Sequence, residues 1–344
     1  MMFKILLIGL FLLCQAGMVL ATDHLLYFEA QGIAGYSTNV HRMIYYSMNP
    51  DAEMQKPSLG FDFIQRFSGE SGDVATFALQ ARLALAGDRG DYKLEPQVYN
   101  AYLKVKTPEP YVWIGHNRPA IGLSSYFDSH GQILRTLAIE GLGYDRDWGV
   151  GVYKDFSWGD IYTSVTTGSG MPILFKGGNY MAAGRASYGV LSQDNMNLGL
   201  SMGYGKTLDT MGYELRDEEP RRMALAGLDF TYLMNRFEHR FDFLGGKWLG
   251  ERTYAFFYRL GVNLGQEGRF KIEAQPTYWR LGDDTNYLLS FCFSVLATSD
   301  LTVRLGYFYD RNEKDNRVVL QLYYYQPVSW LSKLTEKFKK REGG

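Results

Sequence analysis

The sequence predicts an all-β fold, a transmembrane antiparallel up-and-down β-barrel of about sixteen strands. Long runs of alternating apolar and polar residues support this fold class, and so does the composition, with 26 Tyr, 21 Phe and 38 Gly. The third observation is an export signal at the N-terminus, after which no apolar stretch is long enough for a spanning helix. Strands that face lipid on one side and water on the other alternate in this way.

The clearest alternation lies between residues 196 and 205. One face carries Met196, Leu198, Leu200, Met202 and Tyr204, and the other carries Asn197, Gly199, Ser201, Gly203 and Gly205. The same pattern recurs at 254–264, 270–278, 289–295 and 301–310. A soluble sheet that buries one face shows clustered aliphatic residues there. Here the apolar faces are rich in aromatic residues and the polar faces carry Gly, Ser and charges, which favours a water-filled lumen inside lipid.

Seventeen segments qualify as strands by this alternation. They are 24–37, 57–68, 73–87, 93–107, 110–117, 131–143, 146–156, 159–168, 179–191, 194–207, 221–234, 236–248, 252–265, 268–281, 285–298, 299–311 and 316–326. Bacterial single-chain barrels have even strand numbers, so we expect sixteen, with 110–117 or the first segment as the weakest. Tight turns are predicted at 145–146, 192–193, 235–236 and 299–300, and longer loops at 38–56, 118–130, 169–178 and 208–220.

The two ends of the chain differ from the barrel. A basic start with Lys4, an apolar run from Ile5 to Leu13 and small residues up to Ala21 are typical of a cleaved signal peptide at 1–21. The barrel is expected at 22–327, in the outer membrane of a Gram-negative-type bacterium. Residues 328–344 place apolar residues on one helical face among many lysines, which predicts a short basic amphipathic helix; a solvated tail is the alternative.

Composition also limits the chemistry of the chain. The formal net charge of −1 gives no general attraction to nucleic acid. Cys14 falls within the predicted signal, so Cys292 alone remains and no disulfide framework is possible. None of the five histidines has the His-x-x-x-His spacing of a metal site. The sequence therefore predicts neither a metal nor another cofactor.

The alternation places many charged residues toward the lumen, where such charges set which solutes pass. The basic ones are Lys104, Arg185, Arg240, Arg259, Lys271 and Arg304, and the acidic ones are Asp229, Glu238, Asp242, Glu273 and Asp310. The two signs are nearly balanced. The sequence therefore indicates no preference for anions or cations.

The most distinctive region lies between residues 111 and 150. It contains Gly-His-Asn-Arg-Pro-Ala-Ile-Gly-Leu at 115–123 and Tyr-Asp-Arg-Asp-Trp-Gly-Val at 144–150. Over about forty residues it resembles the phosphate-selective, O/P-type porins, in which a strand ends in Gly before a polar Pro-x-x-Gly segment and Arg-Asp-x-Gly-Val opens a later strand. The resemblance implies a sixteen-stranded, often trimeric barrel with basic residues at a constriction. Arg118 and Arg146 match its basic positions.

The expected function is that of an outer-membrane porin for passive diffusion of small hydrophilic solutes, without catalysis. Its constriction would include His116, Arg118 and His130, and its partners would be outer-membrane lipid and two further copies of the chain in a homotrimer. The alternatives are a hydrophobic-compound transporter with a plug at 39–57, or a sealed barrel that supports a surface complex. An outer-membrane hydrolase is a further alternative, combining His116 or His130 with Ser124, Ser125 or Asp128.

Overall fold

The computed structural model describes residues 21–48, 55–70, 72–87, 91–106, 109–129 and 131–328. Within these residues the chain forms one closed antiparallel barrel of sixteen strands, which confirms the predicted fold class. The barrel closes because the first strand pairs with both the last strand and the next long strand. The predicted signal peptide apart from Ala21, His130 and the predicted basic helix apart from Val328 lie outside the described residues.

The strands follow one another around the barrel in chain order. β1 (Ala21–Ser37) is followed by a short β2 (Arg42–Ile44), which pairs with the end of β1 and is not one of the sixteen. The others are β3 (Ser58–Gly69), β4 (Gly72–Ala86), β5 (Lys93–Lys106), β6 (Tyr111–Asn117), β7 (Asp147–Phe156), β8 (Gly159–Thr166), β9 (Tyr180–Tyr188), β10 (Met196–Met211), β11 (Glu214–Met234), β12 (Phe237–Trp248), β13 (Glu251–Leu264), β14 (Phe270–Leu281), β15 (Asp284–Leu296), β16 (Leu301–Asp310) and β17 (Asp315–Pro327). A helical turn, α1 (Leu191–Asp194), connects β9 and β10.

The predicted alternation corresponds to the two faces of the barrel wall. Leu200 and Met202 on β10 are 65% and 73% exposed on the outer face, whereas Asn197 and Ser201 are buried on the inner face. Apolar side chains cover the outer face of the other strands as well. Such a surface is compatible with lipid rather than with water. Among the described residues, no helix is long and apolar enough to cross a membrane.

The two ends of the barrel differ in their connections. Ala21 and Val328 lie at one end, which we call the short-turn end, where 157–158 and 235–236 are two-residue turns. The opposite, long-loop end carries the connections 38–57, 118–146 and 167–179. This asymmetry is the usual one between the periplasmic and extracellular ends of a bacterial barrel.

The prediction of a strand at 131–143 is wrong, as are three connections. One of them is the tight turn predicted at 192–193, where residues 189–195 join β9 to β10. The segment 131–143 belongs to the loop between β6 and β7, which folds into the barrel, and 145–146 is the end of that loop rather than a tight turn. Its residues Ile133 and Leu137 are fully buried against the inner wall, so their apolar character reflects packing rather than pairing. The predicted loop 208–220 is also wrong, because β10 and β11 continue to a two-residue turn at 212–213. The doubted segment 110–117 forms a true strand, β6.

Candidate functional site

The loop between β6 and β7, residues 118–146, lies inside the barrel, and we call it the inner loop. Its first part binds the inner wall through backbone amides. Ala120 N donates to Ser164 Oγ of β8 at 3.0 Å, and Gly122 N donates to Ser201 Oγ of β10 at 3.1 Å. Leu123 N donates to the Asp242 carboxylate of β12 at 3.3 Å. Three inward polar side chains therefore accept hydrogen bonds from backbone amides that precede or open a short 3-10 turn at Leu123–Ser125.

Two aromatic rings of the inner loop lie on the arginines that were predicted to point inward. The Arg185 guanidinium is 4.4 Å from the ring centre of Tyr126, and the Arg240 guanidinium is 3.9 Å from that of Phe127. The Tyr126 hydroxyl also hydrogen-bonds Thr231 at 2.8 Å. An arginine over a ring face gains cation–π attraction, which strengthens when both groups are desolvated.

The middle of the inner loop is bound by Arg259, Gln275 and Arg304. Arg259 Nη2 and Gln275 Nε2 both donate to the carbonyl of Arg135, at 3.2 and 2.9 Å. Arg304 Nη1 donates to the carbonyl of Gly131 at 2.6 Å. These three side chains come from β13, β14 and β16, so the inner loop crosses from one side of the lumen to the other.

The connection between β1 and β3 also enters the lumen. Ser47 and Gln55 are buried there, and Gln55 Nε2 reaches the carbonyl of Ile133 at 3.4 Å. Arg135 Nη2 of the inner loop donates to the carbonyl of Ser47 at 2.9 Å. Ser47, Gln55 and Lys56 therefore pack inside, whereas Met43 and Tyr45 of the same segment are 53% and 42% exposed, and β2 makes part of the segment a strand. A plug at 39–57 stays a prediction.

A buried ion pair lies within the inner loop, outside the membrane-spanning strands. Arg135 Nη1 is 3.2 Å from Glu140 Oε1, and both side chains are less than a tenth exposed. Burial raises the pKa of the Glu140 carboxyl, against the opposing effect of Arg135. Burial likewise lowers the pKa of the Arg135 guanidinium, although Glu140 acts in the other direction. Both pKa shifts arise because removing a charged group from water costs free energy.

The inner loop returns to the wall through Tyr144, Asp145 and Arg146. The Tyr144 hydroxyl donates to the carbonyls of Gly168 and Leu208. Asp145 accepts a hydrogen bond from the Tyr99 hydroxyl of β5 at 2.7 Å, and Arg146 lies 4.0 Å above the Tyr99 ring. Arg146, one of the two basic positions of the porin resemblance, is fully buried and binds the loop to β5.

An apolar cluster fills the space between the inner loop and the strands β8 to β13. The cluster comprises Trp113, Ala120, Ile121, Leu123, Phe127, Leu137, Leu142, Tyr144, Tyr162, Met181, Ala183, Met223, Leu225, Leu244, Trp248, Ala255 and Phe257. A smaller cluster with Ile133 and Leu134 packs on β1 and β15 to β17. The sequence analysis did not predict apolar side chains at inward positions of the wall. The glycines on the inner face leave space for them.

The predicted lumen charges form buried pairs on this side. Arg185 Nη2 is 2.7 Å from Asp229, and Lys271 Nζ is 2.9 Å from both Glu238 and Glu273. Glu238 also pairs with Arg240. Asp242 and Arg259 are 1% exposed. Most of the predicted pore-lining residues thus lie beneath the inner loop, and a role of these residues in lining a pore stays a prediction.

The opposite side of the lumen, formed by β17, β1 and β3 to β5, is less covered. Several inward side chains there are half-buried, among them Tyr27, Asp62, Tyr102, Tyr323 and Tyr325, whereas Glu29, Gln31 and Arg82 are buried. Tyr325 donates to Asp62 at 2.8 Å and stacks on Tyr27. On this side the sequence analysis named Lys104 as an inward charge and missed these tyrosines, although the same alternation places them inward. Lys104 Nζ lies near it, 4.7 Å from the Tyr111 ring centre.

Arg118 lies at the border between the two sides. Its guanidinium is 2.8 Å from the carboxylate of Asp128, which is the most exposed charge in this part of the inner loop, with a side chain 54% exposed. His116 is fully buried, with its ring stacked on Trp148 at 4.7 Å. The Ser125 hydroxyl donates to the carbonyl of Gly122. These contacts differ from a nucleophile–base pair, and no group of potential metal ligands forms among the described residues.

Comparison with known proteins identifies a fold. No family model matches the sequence, and no curated protein does. Among solved structures, OmpF of Salmonella typhi in complex with daunomycin matches with a TM-score of 0.64 at 9% identity, over 88% of this chain and 97% of that chain. The trimer form of OmpT, an outer membrane protein of Vibrio cholerae, gives 0.61 at 11% identity, over 89% and 99%.

A third solved structure points the same way. An anion-selective porin from Comamonas acidovorans gives a TM-score of 0.55 at 9% identity, over 89% of this chain and 100% of that chain. At these identities the likeness shows the fold alone. The chain therefore has the sixteen-stranded barrel fold that outer-membrane porins share, and its predicted membership of the O/P-type family stays a prediction.

Proposed function

We propose that the protein is an outer-membrane channel through which small hydrophilic solutes diffuse passively. The barrel fold, the apolar outer face and the polar inner face support a pore in lipid. In this proposal the long-loop end faces outward and the short-turn end faces the periplasm. A homotrimer is proposed as well, because one similar structure is described as a trimer form.

The single observation that carries the proposal is the position of the inner loop. It is bound to the wall mainly from β8 to β16 and covers that side of the lumen, with further contacts to β5, β1 and β17, whereas the tyrosine-lined side carries half-buried polar groups. A loop held in this way narrows a wide barrel to a passage along β17, β1 and β3 to β5. The passage would be lined by Asp62, Arg118 and Asp128, with both charge signs present, so we propose that size selects solutes more strongly than charge.

Single-channel recording in planar bilayers tests the proposal. The purified wild-type barrel should give ohmic current steps. Tyr126→Ala/Phe127→Ala removes the two rings that hold the inner loop on Arg185 and Arg240 and should change the step size, because the loop that narrows the lumen is then bound less firmly to the wall. The matched control, Leu200→Ala/Met202→Ala, removes two large side chains from the outer face and should leave the step size unchanged.

A sealed or substrate-specific barrel is the second candidate, and the apolar cluster inside the lumen favours it. The same recordings decide between the two. A wild-type barrel that is folded, as shown by circular dichroism and by its heat-dependent shift on gels, yet carries no current would contradict the channel. Current steps that are blocked by one solute class would indicate a substrate-specific channel instead.

A further inference from the structure

A row of basic side chains crosses the outer face of five neighbouring strands near the long-loop end. The row comprises Lys206 of β10, Arg222 of β11, Lys247 of β12, Arg252 of β13 and Arg280 of β14, and we call it the basic row. Lys206, Arg222, Lys247 and Arg252 are exposed, and Arg280 is partly exposed. Lys206 points outward because it continues the alternation of the lipid-facing side chains Leu200, Met202 and Tyr204 on β10. The pairing register places the other four cations on the same face.

The pairing register places these charges directly against one another. Lys206 is opposite Arg222 in the β10–β11 pair, and Lys247 is opposite Arg252 in the β12–β13 pair. Like charges directly opposite across a sheet are destabilising. Of the five cations, only Arg280 lies within 4.0 Å of a carboxylate among the described residues, that of Asp283 at 3.7 Å. The basic row therefore contains repulsion that the protein itself does not neutralise.

A shallow apolar groove adjoins the basic row on the same outer face. Its floor consists of small residues at outward positions of the wall, namely Ala182, Gly184, Ala224, Ala226 and Gly245. The exposed side chains of Met202 and Tyr204 border it. The groove is wide and open rather than enclosed, and Ala224 lies directly opposite Lys247 in the register. Apolar chains and anionic groups attached to one molecule would meet both surfaces together.

Other parts of the outer face lack this combination. Near the long-loop ends of β1, β4, β9 and β15 the outward side chains are Tyr36, Leu83, Tyr180 and Tyr287, all exposed and uncharged. Aromatic residues at this level are the ordinary border of a membrane barrel. The cations are therefore confined to one sector, and a general attraction to a charged membrane surface does not require such confinement.

We propose that the basic row and the adjoining groove bind a phosphorylated lipid of the outer leaflet. Its phosphates contact Lys206, Arg222, Lys247 and Arg252, and its acyl chains lie on the small residues of the groove. The proposal goes beyond passage of solutes and rests only on the outward orientation of the long-loop end. Charge complementarity carries it, since a polyanion between two opposed cation pairs converts their repulsion into attraction.

The test measures binding of lipid A with two phosphates to the folded barrel in detergent, by native mass spectrometry. Lys247→Gln/Arg252→Gln should weaken binding by roughly twentyfold, about fivefold for each cation near an anionic headgroup. The matched control Arg236→Gln/Arg269→Gln removes two exposed cations from the short-turn end and should bind like the wild type. Dephosphorylated lipid A should bind weakly to all variants.

A second measurement uses the repulsion itself. Without anionic lipid, Lys247→Gln/Arg252→Gln should unfold at a higher temperature than the wild type, and addition of phosphorylated lipid A should reverse that order. Equal lipid binding by both double variants overturns the proposal. Competition by millimolar inorganic phosphate also overturns it, because the site would then take a free anion. Channel conductance is recorded in parallel, so a barrel that binds lipid but carries no current contradicts only the proposed function.

Discussion

The lumen wall has two halves that contain similar residue types in different surroundings. On the half covered by the inner loop, Arg185, Asp242 and Arg259 are almost completely buried and bind the loop or one another. On the half formed by β17, β1 and β3 to β5, Asp62 keeps part of its surface in water, and Asp128 of the inner loop has a side chain 54% exposed. An inward charge in this barrel thus binds the inner loop, hydrogen-bonds another wall residue as the buried Arg82 does with Gln97, or contacts water.

The two halves should also respond differently to substitution. A buried charge that loses its partner remains in a medium of low dielectric constant, at a cost of several kcal/mol. A charge in contact with water is screened, and its contribution to stability is small.

The largest effect is expected for Asp229→Ala on the covered half. It leaves the Arg185 guanidinium, 1% exposed, without the carboxylate at 2.7 Å, and should reduce the free energy of unfolding by about 3–5 kcal/mol. Asp62→Ala on the open half should cost less than about 1 kcal/mol. Urea unfolding of the barrel in detergent or lipid measures both.

A companion variant isolates the cause of that loss. Arg185→Leu/Asp229→Leu replaces the pair at 2.7 Å by apolar side chains and should recover most of the stability, because neither of its two charges remains buried alone; Asp160, 3.5 Å from Arg185, keeps 16% of its side chain exposed. Equal destabilisation by Asp229→Ala and Asp62→Ala would show that the two halves do not differ in this respect.

The strands were predictable because alternation records which face of a strand meets lipid. Sixteen of the seventeen predicted segments correspond to the strands of the barrel. They include 110–117, named as one of the two weakest segments, which forms β6. The segment 131–143 was wrongly predicted to be a strand because a loop buried inside a barrel is as apolar as a strand. Ile133 and Leu137 are fully buried through contacts with distant strands, which no local pattern reveals.

The candidate site was predictable in its residues but not in their surroundings. Alternation gave the inward direction of Arg185, Arg259 and Asp242, and the motif region drew attention to the start of the inner loop. Whether an inward side chain meets water or a loop depends on the path of residues 118–146. That path is fixed by hydrogen bonds to seven or more strands far away in sequence, such as Gln275 with Arg135, and a single sequence does not contain them.

The next largest effect is expected at Gly122 of the inner loop. Its φ of 60° is left-handed, and a Cβ there would lie 3.1 Å from the Asp242 carboxylate. Gly122→Ala should lower the free energy of unfolding by about 1–2 kcal/mol from the backbone alone, with a further cost from displacement of Asp242. Gly143→Ala is the control, because its φ is also positive but no atom lies within 4 Å. Thermal unfolding compares the two, and equal losses would mean that contact with Asp242 contributes nothing.

A smaller, pH-dependent effect is expected at Glu140. Burial raises the pKa of its carboxyl in the folded protein, so the protonated form is favoured there. Its contribution to stability is then full below the unfolded pKa of about 4.3 and is lost as the pH rises through the folded value. The stability of the wild type relative to Glu140→Gln should therefore fall between about pH 4 and pH 7. Unfolding midpoints at both pH values measure it; a difference that is constant or grows with pH would contradict the prediction.

The smallest effect is expected for the loss of one exposed charge at Asp128. This substitution tests whether the Asp128 side chain contacts passing ions. Asp128→Asn should shift the reversal potential of the channel toward anions, by no more than about a fivefold change in permeability ratio, since exposed ion pairs contribute at most about 1 kcal/mol. The shift should shrink from 0.1 M to 1 M salt, because the Debye length falls from about 10 Å to about 3 Å. Asp242→Asn, with the same chemical change beneath the inner loop, should leave the reversal potential unchanged. A shift of equal size in both variants would place Asp242 in the ion path and remove the distinction between the two halves.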